Sequence, residues 1–101
     1  METRRAPEIE RIPEQQTAYE PLSRVIVHND DVTPMDFVVG VLTGIFQLPA
    51  PDAVDVMLTA HYQGEALVAT LPKSEAEARV NKAHFAAGLE GYPLHFSMEP
   101  E

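Results

Sequence analysis

The amino-acid sequence predicts an α/β (α+β) fold, a two-layer sandwich in which one three-stranded antiparallel sheet packs against three helices. Three observations carry this expectation. Short runs rich in β-branched or aromatic residues, at 24–28, 65–71 and 94–98, are each bounded by turn-forming residues. Between them lie stretches whose apolar residues recur at three- and four-residue steps behind helix-start signals. A chain of 101 residues supports a single core, so three short strands must share one sheet to be stable. The expected order is β-α-α-β-α-β.

The first run, "RVIVH" (24 to 28), ends at Asn29, Asp30 and Asp31, which favour turns. Thr33 then offers a cap hydroxyl, Pro34 suits the first helical position, and Asp36 complements the positive end of the helix dipole. Phe37, Val38, Val41, Leu42 and Ile45 form the apolar face of this helix, and "LPAP" (48 to 51) is expected to stop it. Asp52 opens a second helix in which Val54, Met57, Leu58 and His61 share a face, with Gly64 suited to its C-terminal turn. "EALVATL" (65 to 71) follows as the second strand. Ser74 and Glu77 have the spacing of a capping box for a third helix, with Val80, Ala83, His84 and Ala87 on one face and Gly88 after its end. "LHFSM" (94 to 98) closes the sheet, with Leu94, Phe96 and Met98 on one side.

Residues 1 to 22 contain five Glu, three Arg and three Pro and few apolar groups. Such a segment cannot bury enough surface to offset its ordering entropy, and it is expected to be a disordered arm ahead of a core domain over 23 to 101. The formal net charge of −9 disfavours nucleic acid, whose affinity rests on Lys and Arg, and also disfavours anionic membranes. Absence of cysteine excludes disulfides, thiolate zinc sites and a thiol nucleophile. With no apolar run near the ~20 residues of a membrane span and no secretory-signal pattern, a soluble, cytoplasmic protein is expected.

The stretch "HNDDVTPMDF" (28 to 37) crowds three acceptors and an imidazole in front of a helix that must bury itself. Composition reads it first as a turn, in which Asn and Asp bond backbone amides. A metal site from His28, Asp30, Asp31 and His61 is a weaker reading, because neither a calcium-loop pattern nor H-E-x-x-H is present. A carboxylate-pair enzyme is weaker still, since adjacent Asp30 and Asp31 need not face one substrate. The remaining reading is a binding site. Acceptors at the strand-to-helix turn would adjoin an apolar hollow near Met35, Val38 and Met57, which suits a ligand with a cationic head and a hydrophobic body.

"VIVHNDDVTPMDFVVGVL", then "MLTAHYQGEA", "EARVNKA" and "YPLHFSMEP", closely resemble the ClpS family, adaptors of the Clp protease, over residues 24 to 101. N-D-D-x-T-P-M-[DE]-F-V together with M-L-x-x-H is a highly specific combination. The resemblance implies an N-end-rule adaptor that captures proteins with N-terminal Leu, Phe, Tyr or Trp and hands them to a Clp AAA+ unfoldase, a ClpA-like or ClpC-like hexamer. By the same resemblance Asn29, Asp30 and His61 hold the free α-amino group. Thr33, Met35, Val38, Met57, Ala60 and Leu94 line the side-chain pocket, with Met35 at its mouth, and Ser74, Glu77 and Arg79 lie on the surface turned toward the unfoldase.

An ammonium group carries three donors and a charge, which two side-chain acceptors and a neutral imidazole satisfy. No bond is made or broken in that role, so no catalytic residue, cofactor or metal is expected. The chain departs from the family pattern at Ala60, often valine, at Val32, often tyrosine, at Ser74, often acidic, and at Arg79, often lysine. The alternative to degron capture is an α/β module that docks the unfoldase or another protein without recognising an N-terminus.

Overall fold

A computed structural model describes residues 20–101 of the chain. Six elements follow in the expected order: β1 (Leu22–His28), α1 (Met35–Gly44), α2 (Ala50–Gln63), β2 (Glu65–Pro72), α3 (Lys73–Glu90) and β3 (His95–Pro100). The strands form one antiparallel sheet in the order β2-β1-β3. β1 is therefore the central strand, paired from Leu22↔Pro72 to His28↔Glu65 on one side and from Ser23↔Pro100 to His28↔His95 on the other.

Alternation along the strands decides which side is covered. Val25 and Val27 of β1, Ala66 and Val68 of β2, and Leu94 and Phe96 at β3 are buried and belong to one core cluster with Val41, Leu42 and Phe46. Arg24, His28, Glu65, His95 and Glu99 lie on more exposed positions of the same strands, and Arg24 pairs with Glu99 at 3.5 Å. Phe46 stacks on Phe96 with ring centroids 5.1 Å apart, and Phe37 meets Tyr92 edge-on at 4.9 Å. Helices approach the sheet through alanines: Ala53, Ala76 and Ala83 are fully buried. Small side chains there allow close backbone approach, while Phe96 and Leu42 are the largest fully buried side chains, each worth roughly 1.5–3 kcal/mol.

Several boundaries differ from the sequence expectation. Pro34 is the residue flanking α1, with ψ 145°, and its carbonyl accepts the first helical hydrogen bond from Val38 N–H at 3.2 Å, so Thr33 does not cap this helix. α1 ends at Gly44, before "LPAP", and Pro49 flanks the start of α2 instead. α2 thus begins at Ala50, not Asp52, and accommodates Pro51 in its first turn, where a missing N–H has no consequence.

The buried side of α2 is also displaced from the one expected. Ala53 and Ala60 are buried and Val56 and Met57 half-buried, whereas Val54 and Leu58 are 39% and 37% exposed and His61 faces outward. The covered face is rotated by about one residue, because the sheet admits alanine where larger side chains would hold the helix away.

At α3 the Ser74–Glu77 capping box is not formed. The Ser74 N–H and hydroxyl both donate to the Glu20 carboxylate, at 2.9 and 2.8 Å, and the helix runs through Gly88 to Glu90, with Gly91 in the left-handed region at its end. Those bonds from Ser74 hold the Glu20 carboxyl below its usual range. Residues 1–19, where most of the expected disordered arm falls, lie outside the described residues. Glu20, Pro21 and Leu22 are tied to the domain: Lys73 N–H donates to the Pro21 carbonyl at 3.0 Å, and β1 already begins at Leu22.

Candidate functional site

The site grows from the end of β1. Past His28 the ladder continues by one rung, the Asn29 N–H donating to the Gly64 carbonyl at 2.9 Å, and the chain then turns toward α1. Asp30 organises that turn. Its Oδ1 accepts the N–H groups of Val32 at 2.8 Å and Thr33 at 2.6 Å, and its Oδ2 accepts the Thr33 hydroxyl at 2.9 Å. Burial pushes the Asp30 carboxyl up, but the hydrogen bonds from Thr33 and Val32 prevail and hold it below the ordinary carboxylate range. Asp30 is therefore a fixed anion. Three of its roughly four lone-pair positions are filled from within the chain, leaving about one for an outside donor.

α2 brings the other side of the site. Gly64, with φ 96°, ends this helix by donating its N–H to the Ala60 carbonyl at 2.8 Å, one turn beyond the residues that matter here. Met57, Ala60 and His61 lie on the stretch so terminated. The exposed His61 ring meets Tyr62 edge-on at 4.9 Å. β3 contributes Leu94 from the residue just before its start, and α1 contributes Met35 and Val38.

These elements enclose a cavity of about 290 Å³. All nine residues expected to hold an amino group or a side chain, Asn29, Asp30, His61, Thr33, Met35, Val38, Met57, Ala60 and Leu94, line this one cavity. Its rim is polar, with Asn29 and His61 exposed and Asp30 partly so; its floor is apolar, with Ala60 and Leu94 buried and Val38 and Met57 half-buried. Met35 and Val32 stand at its mouth, 45% and 63% exposed.

The lining also includes Val27, His28, Asp31, Val32 and Pro34. Val27 and His28 were legible as neighbours of the motif in sequence but not as walls, because a strand residue becomes a wall only once its partners are known. His28 is held from both sides: Nε2 lies 2.6 Å from Ser97 Oγ, Nδ1 lies 3.5 Å from Glu65 Oε1, and its ring packs 5.3 Å from that of His95. Among the described residues, no group of three or more His, Cys, Asp or Glu is arranged to hold a metal ion.

Ser74, Glu77 and Arg79 lie on the first two turns of α3 and do not share one face. Ser74 and the exposed Glu77 are three residues apart and neighbouring, whereas Arg79 turns toward the body of the domain. The Arg79 guanidinium donates to Glu75 at 2.8 and 3.0 Å and to the Ile45 carbonyl at 2.6 Å, joining α3 to the end of α1. No helix among the described residues is long and apolar enough to cross a membrane.

Residues 18–97 match the family model described as "ATP-dependent Clp protease adaptor protein ClpS". The chain is 46% identical over 80 residues to the ATP-dependent Clp protease adapter protein ClpS 1 of Rhodopseudomonas palustris, covering 79% of this chain and 78% of that protein. It is 45% identical over 86 residues to ClpS 2 of Mesorhizobium japonicum, covering 85% of each. Among solved structures, that of Agrobacterium tumefaciens ClpS2 bound to L-phenylalaninamide superposes with a TM-score of 0.77 at 37% identity, covering 80% of this chain and 98% of that one. The fold, the motif at the strand-to-helix turn and the matched length together place this chain in the ClpS family, a family of Clp protease adaptors and not of enzymes.

Proposed function

We propose that this chain captures proteins by a free, hydrophobic N-terminal residue and delivers them to a Clp AAA+ unfoldase in the cytoplasm. Asn29, Asp30 and His61 hold the α-ammonium group, and the hollow formed by Thr33, Met35, Val38, Met57, Ala60 and Leu94 takes a Leu, Phe, Tyr or Trp side chain. The observation that carries this reading is the adjacency, in one cavity, of a fixed carboxylate rim and an apolar floor. L-phenylalaninamide, the ligand of the similar Agrobacterium protein, has the same two parts, a free α-amino group and an apolar ring.

Selectivity for chain ends follows from charge. An internal or acetylated residue brings neither three donors nor a positive charge, and its arrival would leave the remaining acceptor position of the Asp30 carboxylate desolvated and unfilled. The adaptor docks the unfoldase through the first turns of α3, where Ser74 and Glu77 face outward and Arg79 serves mainly to hold that helix in place. The reading is tested by reconstituting degradation of a folded reporter that begins with Phe, using a ClpA-like and, separately, a ClpC-like hexamer with its peptidase. Addition of this chain is expected to accelerate degradation with one of the two. No acceleration with either would contradict the proposal.

A further inference from the structure

The two halves of the amino-group site come from segments far apart in sequence, Asn29 and Asp30 after β1 and His61 near the end of α2, and one residue bonds to both. The Gly64 N–H donates to the Ala60 carbonyl at 2.8 Å and closes the last turn of the helix that bears His61; the Gly64 carbonyl accepts the Asn29 N–H at 2.9 Å and holds the opposite loop. His61 lies three residues before Gly64, about 4.5 Å along the helix axis. The backbone path from His61 to Asn29 is thus less than one helical turn plus one hydrogen bond. No side chain intervenes.

We infer that Gly64 is a positioning residue for N-terminal recognition: its left-handed conformation fixes the spacing between His61 and the Asn29–Asp30 turn, and so the fit to an ammonium group. This inference rests on the proposed function above. Its physical basis is the geometry at position 64. With φ 96° and ψ −25°, Gly64 ends α2 and starts β2 at the very next residue, Glu65, which pairs with His28. The carbonyl that receives Asn29 therefore points where the ladder needs its next rung only if this single residue makes the whole reversal. An L-side chain disfavours that conformation, because its Cβ crowds the backbone at positive φ.

Space is not the obstacle. A Cβ added at Gly64 would meet no atom within 4 Å, so a substitution there acts through the backbone dihedrals alone. The fold supplies a matched control in Gly91, which ends α3 at φ 76° and is likewise open around an added Cβ. Its N–H donates to the Gly88 carbonyl, within its own helix end. Gly64→Ala and Gly91→Ala impose the same kind of strain on two helix ends. Only the first ends the helix that carries His61 and bonds the loop that carries Asn29.

The test measures affinities for a Phe-initiated peptide and its N-acetylated twin, using the full chain and its Gly64→Ala and Gly91→Ala variants, with folding followed by circular dichroism. Charged hydrogen bonds weaken steeply on misalignment, so Gly64→Ala is expected to lower the preference for the free amine by about tenfold or more. Gly91→Ala should melt at a lower temperature with that preference intact. D-alanine at position 64, introduced by peptide ligation, favours positive φ and should restore the preference. If Gly64→Ala does not fold, Gly64→Asn replaces it with a smaller expected loss of preference, since asparagine enters the left-handed region more readily, and a folded Gly64→Asn that loses no more than Gly91→Ala would overturn the inference. A selective wild type beside an equally selective, folded Gly64→Ala variant would overturn the inference while leaving the proposed function standing, as would equal losses at positions 64 and 91. A wild type that binds both peptides alike would overturn both.

Discussion

Asp30 and Thr33 lock each other: the carboxylate takes both the backbone N–H of Thr33, at 2.6 Å, and its hydroxyl, at 2.9 Å. One residue thereby both shapes the turn and presents the charge to the cavity. Replacing it separates these roles by degree. Asp30→Asn keeps an acceptor for the two N–H groups and removes the charge, and it is expected to retain the fold while losing peptide affinity.

Asp30→Ala removes both and should weaken binding of a Phe-initiated peptide by ~2–5 kcal/mol, the usual loss when one partner of a buried charged hydrogen bond is deleted. Thermal melting and fluorescence anisotropy on the same samples check the pair of variants. If both bind as tightly as wild type, whatever their melting temperatures, Asp30 does not hold the amino group.

Ala60 sets the size of the hollow. It is 4% exposed on the covered face of α2 and lines the cavity, so the two extra methyl groups of Ala60→Val would enter the space proposed for the substrate side chain. Preference should move toward smaller accepted residues, by ~1–3 kcal/mol at most for a change of this scale in an apolar pocket. A Trp-peptide to Leu-peptide affinity ratio unchanged by the substitution would show that the hollow is not where the side chain goes.

The edge strand carries a pH dependence. His84 of α3 accepts the Phe96 N–H at 3.0 Å and stacks on His95 at 5.4 Å; burial first, and the charge of His95 second, lower its pKa. The unfolded chain takes the proton near the ordinary histidine value of about 6.5, whereas the folded chain resists it. The contribution of this histidine to stability is therefore intact above that pH and declines as pH falls through it, until the lower folded value is reached. Urea midpoints between pH 7.5 and 5 should fall more steeply for wild type than for His84→Gln. Parallel pH profiles would assign the acid sensitivity elsewhere.

The arm is expected to act in delivery and not in capture. It joins the domain at Leu22, which pairs with Pro72, while the cavity opens beyond His28, which pairs with Glu65; a seven-residue strand, about 20 Å long, separates them. A tether joined at that end of the sheet would raise the local concentration of a bound substrate at the unfoldase without adding a contact to the cavity. Because Glu20 and Pro21 bond to the start of α3, the truncation that isolates the arm begins at Glu20. It should bind a Phe-initiated peptide with wild-type affinity and slow the Clp-dependent degradation of a Phe-initiated folded protein. Degradation at the full rate would remove the arm from the account.

Element order was legible in the sequence because it depends on local signals, β-branched runs and three- and four-residue apolar spacing; those signals and the dense polar motif pointed to a hollow near Met35, Val38 and Met57, whereas Thr33, Ala60 and Leu94 as lining followed only from the resemblance to the ClpS family. The features that were not legible depend on partners far along the chain. Ser74 and Glu77 have capping-box spacing, but Glu20, 54 residues away, takes the Ser74 donors first. Val54 and Leu58 are more hydrophobic than Ala53 and Ala60, so spacing alone turned α2 by about one residue; the close packing of the helix on the sheet selects the alanines. Arg79, placed by resemblance on the unfoldase surface, finds the Ile45 carbonyl, which no local pattern announces.

The central claim is that the cavity recognises a charged chain end joined to an apolar side chain. Fluorescence anisotropy of a Phe-initiated peptide beside its N-acetylated twin, titrated with the full chain at neutral pH, measures this most directly. Such recognition predicts saturable binding of the free peptide and an affinity lower by about 1.5 to 3.5 orders of magnitude for the acetylated one, since acetylation removes a charged hydrogen-bonding group worth ~2–5 kcal/mol. Equal affinity for the two peptides would contradict it.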